Sequence, residues 1–434
     1  MIEILDPKQR AEMEGFRFPE EPQKAEPIKD KSHTLTEEGY IAAQKQIDPN
    51  FSEEEFEFHQ ARFENKAKKR EESLWGKVMD IDDPKTAKAF AHEEALRDNA
   101  DFEKRRTQEF KEWHRMLEIV VENLKKKRDD PEKEGKKIRP LLLILGGGMQ
   151  GPYGAGQVIA LGRMGFRDKF DTVVGISAGA ADAAYFLSAN EESDKQTLLG
   201  TSLYYKELAT KKFLNFLRLK QIMNVGYAVG LMKEGEKALD TDAIIKGHSE
   251  FYVQATNSTT KEPELINGKT AKQGVVQAIE ASMALPWVYG KEIEVDDGKY
   301  VDGAFEPVPI QKVIERFNPT DVLILPNMSY DNTDTRILSK AKNALIIGFA
   351  KMLPRLGSLP LAEKVLRAQR QTRQAFEYIR NNYKVNVGIL YPPDLGLTQV
   401  GTDSEQIQAG VIAAAKNTFE EFGEKEKGQN LKLL

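Results

Sequence analysis

The sequence predicts an α/β fold in which short buried strands alternate with helices and lie parallel in one sheet. Residues 141–145 are an unbroken apolar run that ends in three glycines, which is typical of a buried parallel strand. Residues 158–164 follow with helical spacing and a glycine stop, and residues 172–174 form a second apolar run. The alanine-rich residues 178–189 have the composition of a buried helix, which completes the strand–helix–strand–helix order.

Later segments extend this pattern. Residues 251–256, 322–325 and 385–391 are further predicted strands, and residues 403–422 have the spacing of a closing helix. Asp297-Gly298 lies between two short β-like segments, which predicts a hairpin turn. We therefore expect an antiparallel hairpin in addition to the parallel strands.

The composition excludes several classes of function. The 434 residues are 40% hydrophobic, so a large core can form. They are 30% charged with a net charge of −5, and we expect no binding of nucleic acid, because the chain lacks the concentrated basic domain that such binding favours. The chain has no cysteine, which excludes disulfides, thiolate catalysis and cysteine zinc sites. We expect neither a signal peptide nor a transmembrane segment, and thus a cytoplasmic or peripheral membrane protein.

The first third of the chain differs in character from the rest. Residues 1–60 are acidic and proline-spotted, which predicts partial disorder, whereas residues 51–127 carry apolar positions at a spacing of three or four. Two of the three tryptophans lie there, which suggests helices that pack on something, such as a protein partner. We expect residues 1–138 to form a charged, largely helical N-terminal region and residues 139–425 to form the catalytic domain.

Gly175-Ile176-Ser177-Ala178-Gly179 matches the pattern G-x-S-x-G between a predicted strand and a predicted helix. A nucleophile elbow needs this setting, because Gly175 and Gly179 allow a tight turn that exposes the serine at a helix N-terminus. A plain glycine turn would give the same pattern. Ser177 is the candidate nucleophile.

A second glycine motif, Gly146-Gly147-Gly148-Met149-Gln150-Gly151, follows the first strand. It lacks the Lys-Ser or Lys-Thr pair of a P-loop, although Gly146, Gly148 and Gly151 fit the weak dinucleotide pattern G-x-G-x-x-G. An oxyanion hole is the interpretation that joins both glycine motifs, because backbone N–H groups there would stabilise a tetrahedral intermediate.

A serine nucleophile also needs a base. Of the five histidines only His248 follows Ser177, and its polar setting is typical of an exposed loop. This scarcity favours a carboxylate, and Asp302, just after the predicted hairpin, is the candidate. An ordinary Asp-Gly turn is the alternative interpretation of Asp302-Gly303.

With these residues in place, the chain from about residue 140 to 422 resembles the patatin-like phospholipase family. The glycine-rich loop, the Ser177 elbow and Asp302-Gly303-Ala304, which matches D-G-[GA], occur in the family's order. Residues 281–286, Ala-Ser-Met-Ala-Leu-Pro, look like the family's Ala-Ser-x-Ala-x-Pro run. The chain departs from the family at Gln150, where Arg or Lys is usual, and a lost charge there could weaken or re-aim the loop.

The resemblance implies a three-layer α/β/α fold and a Ser–Asp dyad that acts on a lipid acyl ester without metal or organic cofactor. Phospholipase, lysophospholipase and acylglycerol esterase activities all fit this expectation. An acyltransferase or transacylase would use the same dyad with an alcohol in place of water. A catalytically weak binding module, with the N-terminal region as its working part, is the alternative from another class, and Gln150 is the feature that favours it.

Two further segments bear on partners. Residues 335–373 are rich in Lys and Arg with one acid, and Lys340, Lys342 and Lys351 lie between apolar residues at helical spacing. This pattern suits peripheral contact with an anionic membrane, and equally a helix packed on the sheet with a solvated basic face. Residues 206–233 could form a lid over the site or an ordinary helical insertion.

Overall fold

The computed structural model describes residues 100–133, 135–189, 194–215, 223–285, 289–306, 308–329, 383–429 and 431–434, with residues 372, 375–376 and 378–380 between them. The expectations of partial disorder in residues 1–60 and of a basic helix in residues 335–373 lie essentially outside this part of the chain. Among the residues described, no helix is both long and apolar enough to cross a membrane.

A mixed eight-stranded sheet forms the centre of the described structure, in the order β5-β6-β3-β2-β1-β7-β8, with β4 paired to β3. Strands β3, β2, β1, β7 and β8 run parallel to one another. Strands β4 and β6 pair antiparallel with β3, and β5 pairs antiparallel with β6. The strands are β1 Pro140–Ile144, β2 Thr172–Ile176, β3 Glu250–Asn257, β4 Pro263–Asn267, β5 Ile293–Val295, β6 Gly298–Asp302, β7 Asp321–Leu325 and β8 Asn386–Ile389. The predicted parallel strands are thus confirmed, and β4 is a strand that the sequence pattern did not reveal.

Helices cover both faces of this sheet. They are α1 Ala100–Asp129, α2 Pro152–Arg163, α3 Ala178–Ser188, α4 Lys195–Leu203, α5 Val225–Lys233, α6 Thr241–Lys246, α7 Val275–Met283, α8 Ile310–Phe317 and α9 Ser404–Glu421. Successive β1 side chains point to opposite faces, so Leu142 and Ile144 join the core under α2, α3 and α9. Leu141 and Leu143 join the core under α8. This three-layer α/β/α arrangement is the predicted fold class.

The predicted hairpin joins β5 and β6, with Val295 paired to Gly298. Its turn is Asp296-Asp297, one residue earlier than the predicted pair, and Asp296 takes the left-handed conformation at φ 52°. The closing helix α9 begins after Asp403, whose side chain accepts hydrogen bonds from the Glu405 and Gln406 amides. Residues 206–233 do include a packed helix, α5, with four side chains in the core.

Helix α1 packs on the sheet beside β8. Trp113, Leu117, Val120 and Leu124 are at most 3% exposed and belong to the core clusters of the sheet. The described residues from 100 onward form one compact unit. Autonomous folding of residues 139–425 stays a prediction, but this packing argues for a domain boundary before residue 100.

A truncation tests this boundary. A chain that begins at Pro140 loses the buried side chains of α1, Trp113, Leu117, Val120 and Leu124 among them. Each is worth about 1.5–3 kcal/mol of burial, and their sum is comparable with the whole stability of many domains. We expect it to melt without a cooperative transition, whereas a chain that begins at Arg97 melts cooperatively. Calorimetry of the two truncations would measure this, and a cooperative transition in the shorter chain would restore the boundary at residue 138.

Candidate active site

The G-x-S-x-G segment forms a sharp turn between β2 and α3. Ser177 has φ 51° and ψ −122°, a sparsely populated conformation that costs a non-glycine residue on the order of 1–3 kcal/mol. A Cβ on Gly175 would lie 2.5 Å from the Ala180 Cα, and one on Gly179 would collide with the Ile144 carbonyl oxygen. The two glycines therefore let the strand and helix approach closely enough to present the Ser177 hydroxyl at the end of β2.

Asp302 lies next to Ser177 because their strands, β6 and β2, pair with the two sides of β3 at neighbouring positions. Ile176 pairs with Gln254 on one side of β3, and Asp302 pairs with the next residue, Ala255, on the other side. The Ser177 hydroxyl donates a hydrogen bond of 2.7 Å to Asp302 Oδ2, and the Ala304 amide donates one of 2.8 Å to Oδ1.

The Asp302 carboxyl is fully buried. Burial raises its pKa from 3.8 to about 7, and the hydrogen bonds from Ser177 and Ala304 offset part of that rise. A carboxylate with this pKa can accept a proton near neutral pH and release it again in the next step, which is the property that a general base requires.

His248 lies away from this pair. It precedes β3, and its imidazole is 3.8 Å from Asp171, the residue that precedes β2, so both lie at the opposite end of the sheet from Ser177. The side chain is 65% exposed. His114, the other histidine in the described ranges, lies on α1 next to Glu118 and Glu421. A Ser–Asp–His triad through His248 is therefore excluded.

The glycine-rich loop runs next to the nucleophile, since a Cβ on Gly146 would lie 3.1 Å from the Ser177 Cβ. The amides of Gln150 and Gly151 donate to the carbonyls of Gly147 and Gly148 within a 3₁₀ turn. Over the described residues, the amides of Gly146, Gly147 and Gly148 donate to no protein acceptor. Of the predicted oxyanion-hole residues, these three therefore have backbone amides that no protein acceptor in the described part of the chain occupies.

The Gln150 side chain has a structural contact instead. It is buried, and its Nε2 donates a 2.9 Å hydrogen bond to the Leu397 carbonyl. The neighbouring Met149 amide donates to the Gln399 carbonyl. A neutral amide therefore anchors the loop to the chain that follows β8. The backbone amide and the side-chain Nε2 of Gln150 both already donate to carbonyl groups of the protein, which does not favour the predicted role of Gln150 as an oxyanion donor.

The segment that resembles the family's Ala-Ser-x-Ala-x-Pro run connects both members of the pair. The Ser177 amide donates a 2.8 Å hydrogen bond to the buried Ser282 hydroxyl, which in turn donates to the Gln254 carbonyl at 2.6 Å. Two residues after Ser282, the Ala284 carbonyl accepts a 3.0 Å hydrogen bond from the Asp302 amide. Helix α7 and its C-terminal end thus position the backbones of both Ser177 and Asp302.

The fold is a three-layer α/β/α arrangement with a nucleophile elbow, and a carboxylate accepts the hydrogen bond of the serine hydroxyl. This combination is typical of α/β acyl hydrolases. Residues 142–321 match the sequence model of the family described as Patatin-like phospholipase. Over these residues the chain is similar to the patatin-like phospholipases, which are lipid acyl hydrolases in general. No curated protein matches the chain significantly.

One solved structure that aligns with this chain is VipD from Legionella pneumophila. Its sequence is 15% identical, and the alignment covers 65% of this chain and 67% of that chain with a TM-score of 0.37.

Proposed function

We propose that this protein is a serine-dependent lipid acyl hydrolase in which Ser177 is the nucleophile and Asp302 the base. The observation that carries the proposal is the 2.7 Å hydrogen bond from the Ser177 hydroxyl to a fully buried carboxylate, in a chain whose His248 lies elsewhere. The strained elbow at Ser177 supports it, because such strain persists mainly where function requires it.

The mechanism follows from the position of each group. Asp302 takes the hydroxyl proton while the Ser177 oxygen forms a bond to the acyl carbon, and the carbonyl becomes an oxyanion. The amides of Gly146, Gly147 and Gly148 are the available donors to that oxyanion. When the tetrahedral intermediate collapses, the ester bond breaks and Asp302 returns its proton to the leaving alcohol.

Deacylation repeats these steps with water. Asp302 removes a proton from the water as its oxygen attacks the acyl-enzyme, and the fatty acid leaves as Ser177 regains its proton. An alcohol in place of water would give transacylation with the same residues. The anchored Gln150 supports the hydrolase over a weak binding module, because the loop is held without the charge found elsewhere in the family.

Fatty acid release as a function of pH tests the proposal. Because the base form of Asp302 exists above its pKa of about 7, we expect kcat/KM for a soluble acyl ester to rise as pH passes about 7 and then to level off. Phospholipid, lysophospholipid and acylglycerol substrates, each with and without added glycerol, would reveal the preferred ester and any acyl transfer. Absence of Ser177-dependent turnover on every ester would overturn the proposal.

A further inference from the structure

Asn327 lies two residues beyond β7, outside the segment that matches the family, and its side chain is completely buried behind the glycine-rich loop. We propose that Asn327 is a positioning residue that holds this loop in the shape in which its amides meet the oxyanion. The inference rests on the proposed function and deepens it, because it assigns the geometry of the oxyanion hole to a side chain far from the motif in sequence.

One amide group of Asn327 joins the two ends of the loop. Its Oδ1 accepts a 2.7 Å hydrogen bond from the Gly154 amide in the first turn of α2, and its Nδ2 donates to the carbonyl of Leu145, directly before Gly146. Both bonds go to backbone groups that flank residues 146–151. The side chain therefore fixes the distance between the end of β1 and the start of α2.

The bond to Gly154 also replaces a missing helix cap. The N-cap of α2 is Gly151, which has no side chain to accept from the first free amides of the helix. Asn327 supplies that acceptor from a remote part of the chain. The start of α2, and with it the end of the glycine-rich loop, is thus fixed by tertiary contact.

The middle of the loop packs on the same residue. A Cβ on Gly147 would lie 2.6 Å from the Asn327 Cβ, closer than two carbons can come. Gly147 is one of the three residues whose amides are available as oxyanion donors. Asn327 therefore contacts the donor segment directly, in addition to holding its two ends.

Other buried polar groups complete the floor of the loop. Burial holds the pKa of the Asp182 carboxyl well above its usual range, and the carboxyl accepts a 3.0 Å hydrogen bond from the Tyr204 hydroxyl. The Tyr204 ring occupies the space beside Gly151 that any larger side chain would need. Neither group bonds to the loop backbone itself. Gln150 and the Met149 amide tie the later part of the loop to residues 397–399, whereas Asn327 bonds to the backbone on both sides of the loop.

The test replaces Asn327 in the full chain and compares turnover with affinity for a transition-state analogue. Asn327→Leu keeps the number and branching of the side-chain heavy atoms but removes both hydrogen bonds, and Asn327→Asp keeps the shape and the acceptor for Gly154. Asn386→Leu is the matched control, because Asn386 bonds Asp321 at the other end of the sheet. The probes are a soluble acyl ester and an alkyl trifluoromethyl ketone, which forms a serine adduct that carries an oxyanion.

We expect Asn327→Leu to lower kcat by about tenfold to a hundredfold, somewhat less than deletion of an oxyanion donor, with little change in KM. Affinity for the ketone should fall by about the same factor as kcat/KM, which a general loss of stability would not produce. The Asn386→Leu control should keep both properties. If Asn327→Leu does not fold, a smaller but measurable loss of kcat in Asn327→Asp is the expected result.

Wild-type kcat and ketone affinity in folded Asn327→Leu would overturn the inference, as would a fall in kcat with unchanged ketone affinity. If only Asn327→Asp folds, wild-type turnover in that variant overturns it. Failure of the proposed function would look different, because the wild-type protein itself would then show no turnover that depends on Ser177. The inference about Asn327 would be wrong in that case as well.

Discussion

Replacement of Ser177 by alanine is expected to lower kcat for acyl esters by about a thousandfold or more, because no other group in the proposed site can form the acyl-enzyme. The hydroxyl makes its hydrogen bond to Asp302 and lies at the strained turn between β2 and α3. Alanine keeps the Cβ and the backbone amide that bonds Ser282, so the elbow should persist. Ester release monitored by a chromogenic alcohol measures the effect.

Ser188→Ala is the matched control for this experiment. Ser188 is a buried serine on the helix that begins at the elbow, and its hydroxyl donates to the Tyr185 carbonyl. We expect this control to keep turnover close to that of the wild-type protein. Turnover retained in a folded Ser177→Ala protein would remove the serine from the mechanism.

The second large effect is expected from Asp302→Asn, which should lower kcat by about a hundredfold to ten-thousandfold, the range that general bases contribute. The amide has the shape of the carboxyl and can still bond the Ser177 hydroxyl, but it cannot accept its proton. Steady-state kinetics should show the loss in kcat with little change in KM. Asp171→Asn, at the opposite end of β2, is the control that keeps activity.

Stability separates this chemical loss from a folding defect. The pKa of Asp302 is raised from 3.8 to about 7 in the folded protein, so ionisation of the group costs folding free energy. The stabilising effect of the neutral form is fully present below pH 3.8 and is lost as pH rises through about 7. Asparagine never ionises, so Asp302→Asn should be at least as stable as wild type above about pH 7, and a lower melting temperature there would point to misfolding instead.

Local sequence patterns predicted the elbow and its base because their spacing carries the information. A strand, a G-x-S-x-G turn and a helix must follow one another in the chain, so Ser177 could be placed from the sequence alone. Asp302 could be proposed because histidine was scarce and a hairpin preceded it. The 2.7 Å contact between the two depends on strand β3 lying between their strands, which the sequence pattern did not reveal.

The hydrogen bonds that position the site could not be predicted from the sequence either, because they too depend on the tertiary fold. Ser282 and Asn327 bond to backbone groups that are 105 and 173 residues away, at Ser177 and Gly154. A single serine or asparagine carries no periodic signal, and its partner is decided by the tertiary fold. The anchoring hydrogen bond of Gln150 could not be predicted for the same reason, because its acceptor is the distant carbonyl of Leu397.

The most direct test of the Ser177–Asp302 pair is labelling by a fluorophosphonate, which reacts with activated serines, followed by mass spectrometry of the intact protein and its peptides. We expect one adduct, on Ser177, which forms much more slowly in Asp302→Asn and is absent in Ser177→Ala. The rate should rise with pH through about 7, as Asp302 loses its proton. No adduct on Ser177, or one that forms as fast in folded Asp302→Asn as in wild type, would contradict the dyad.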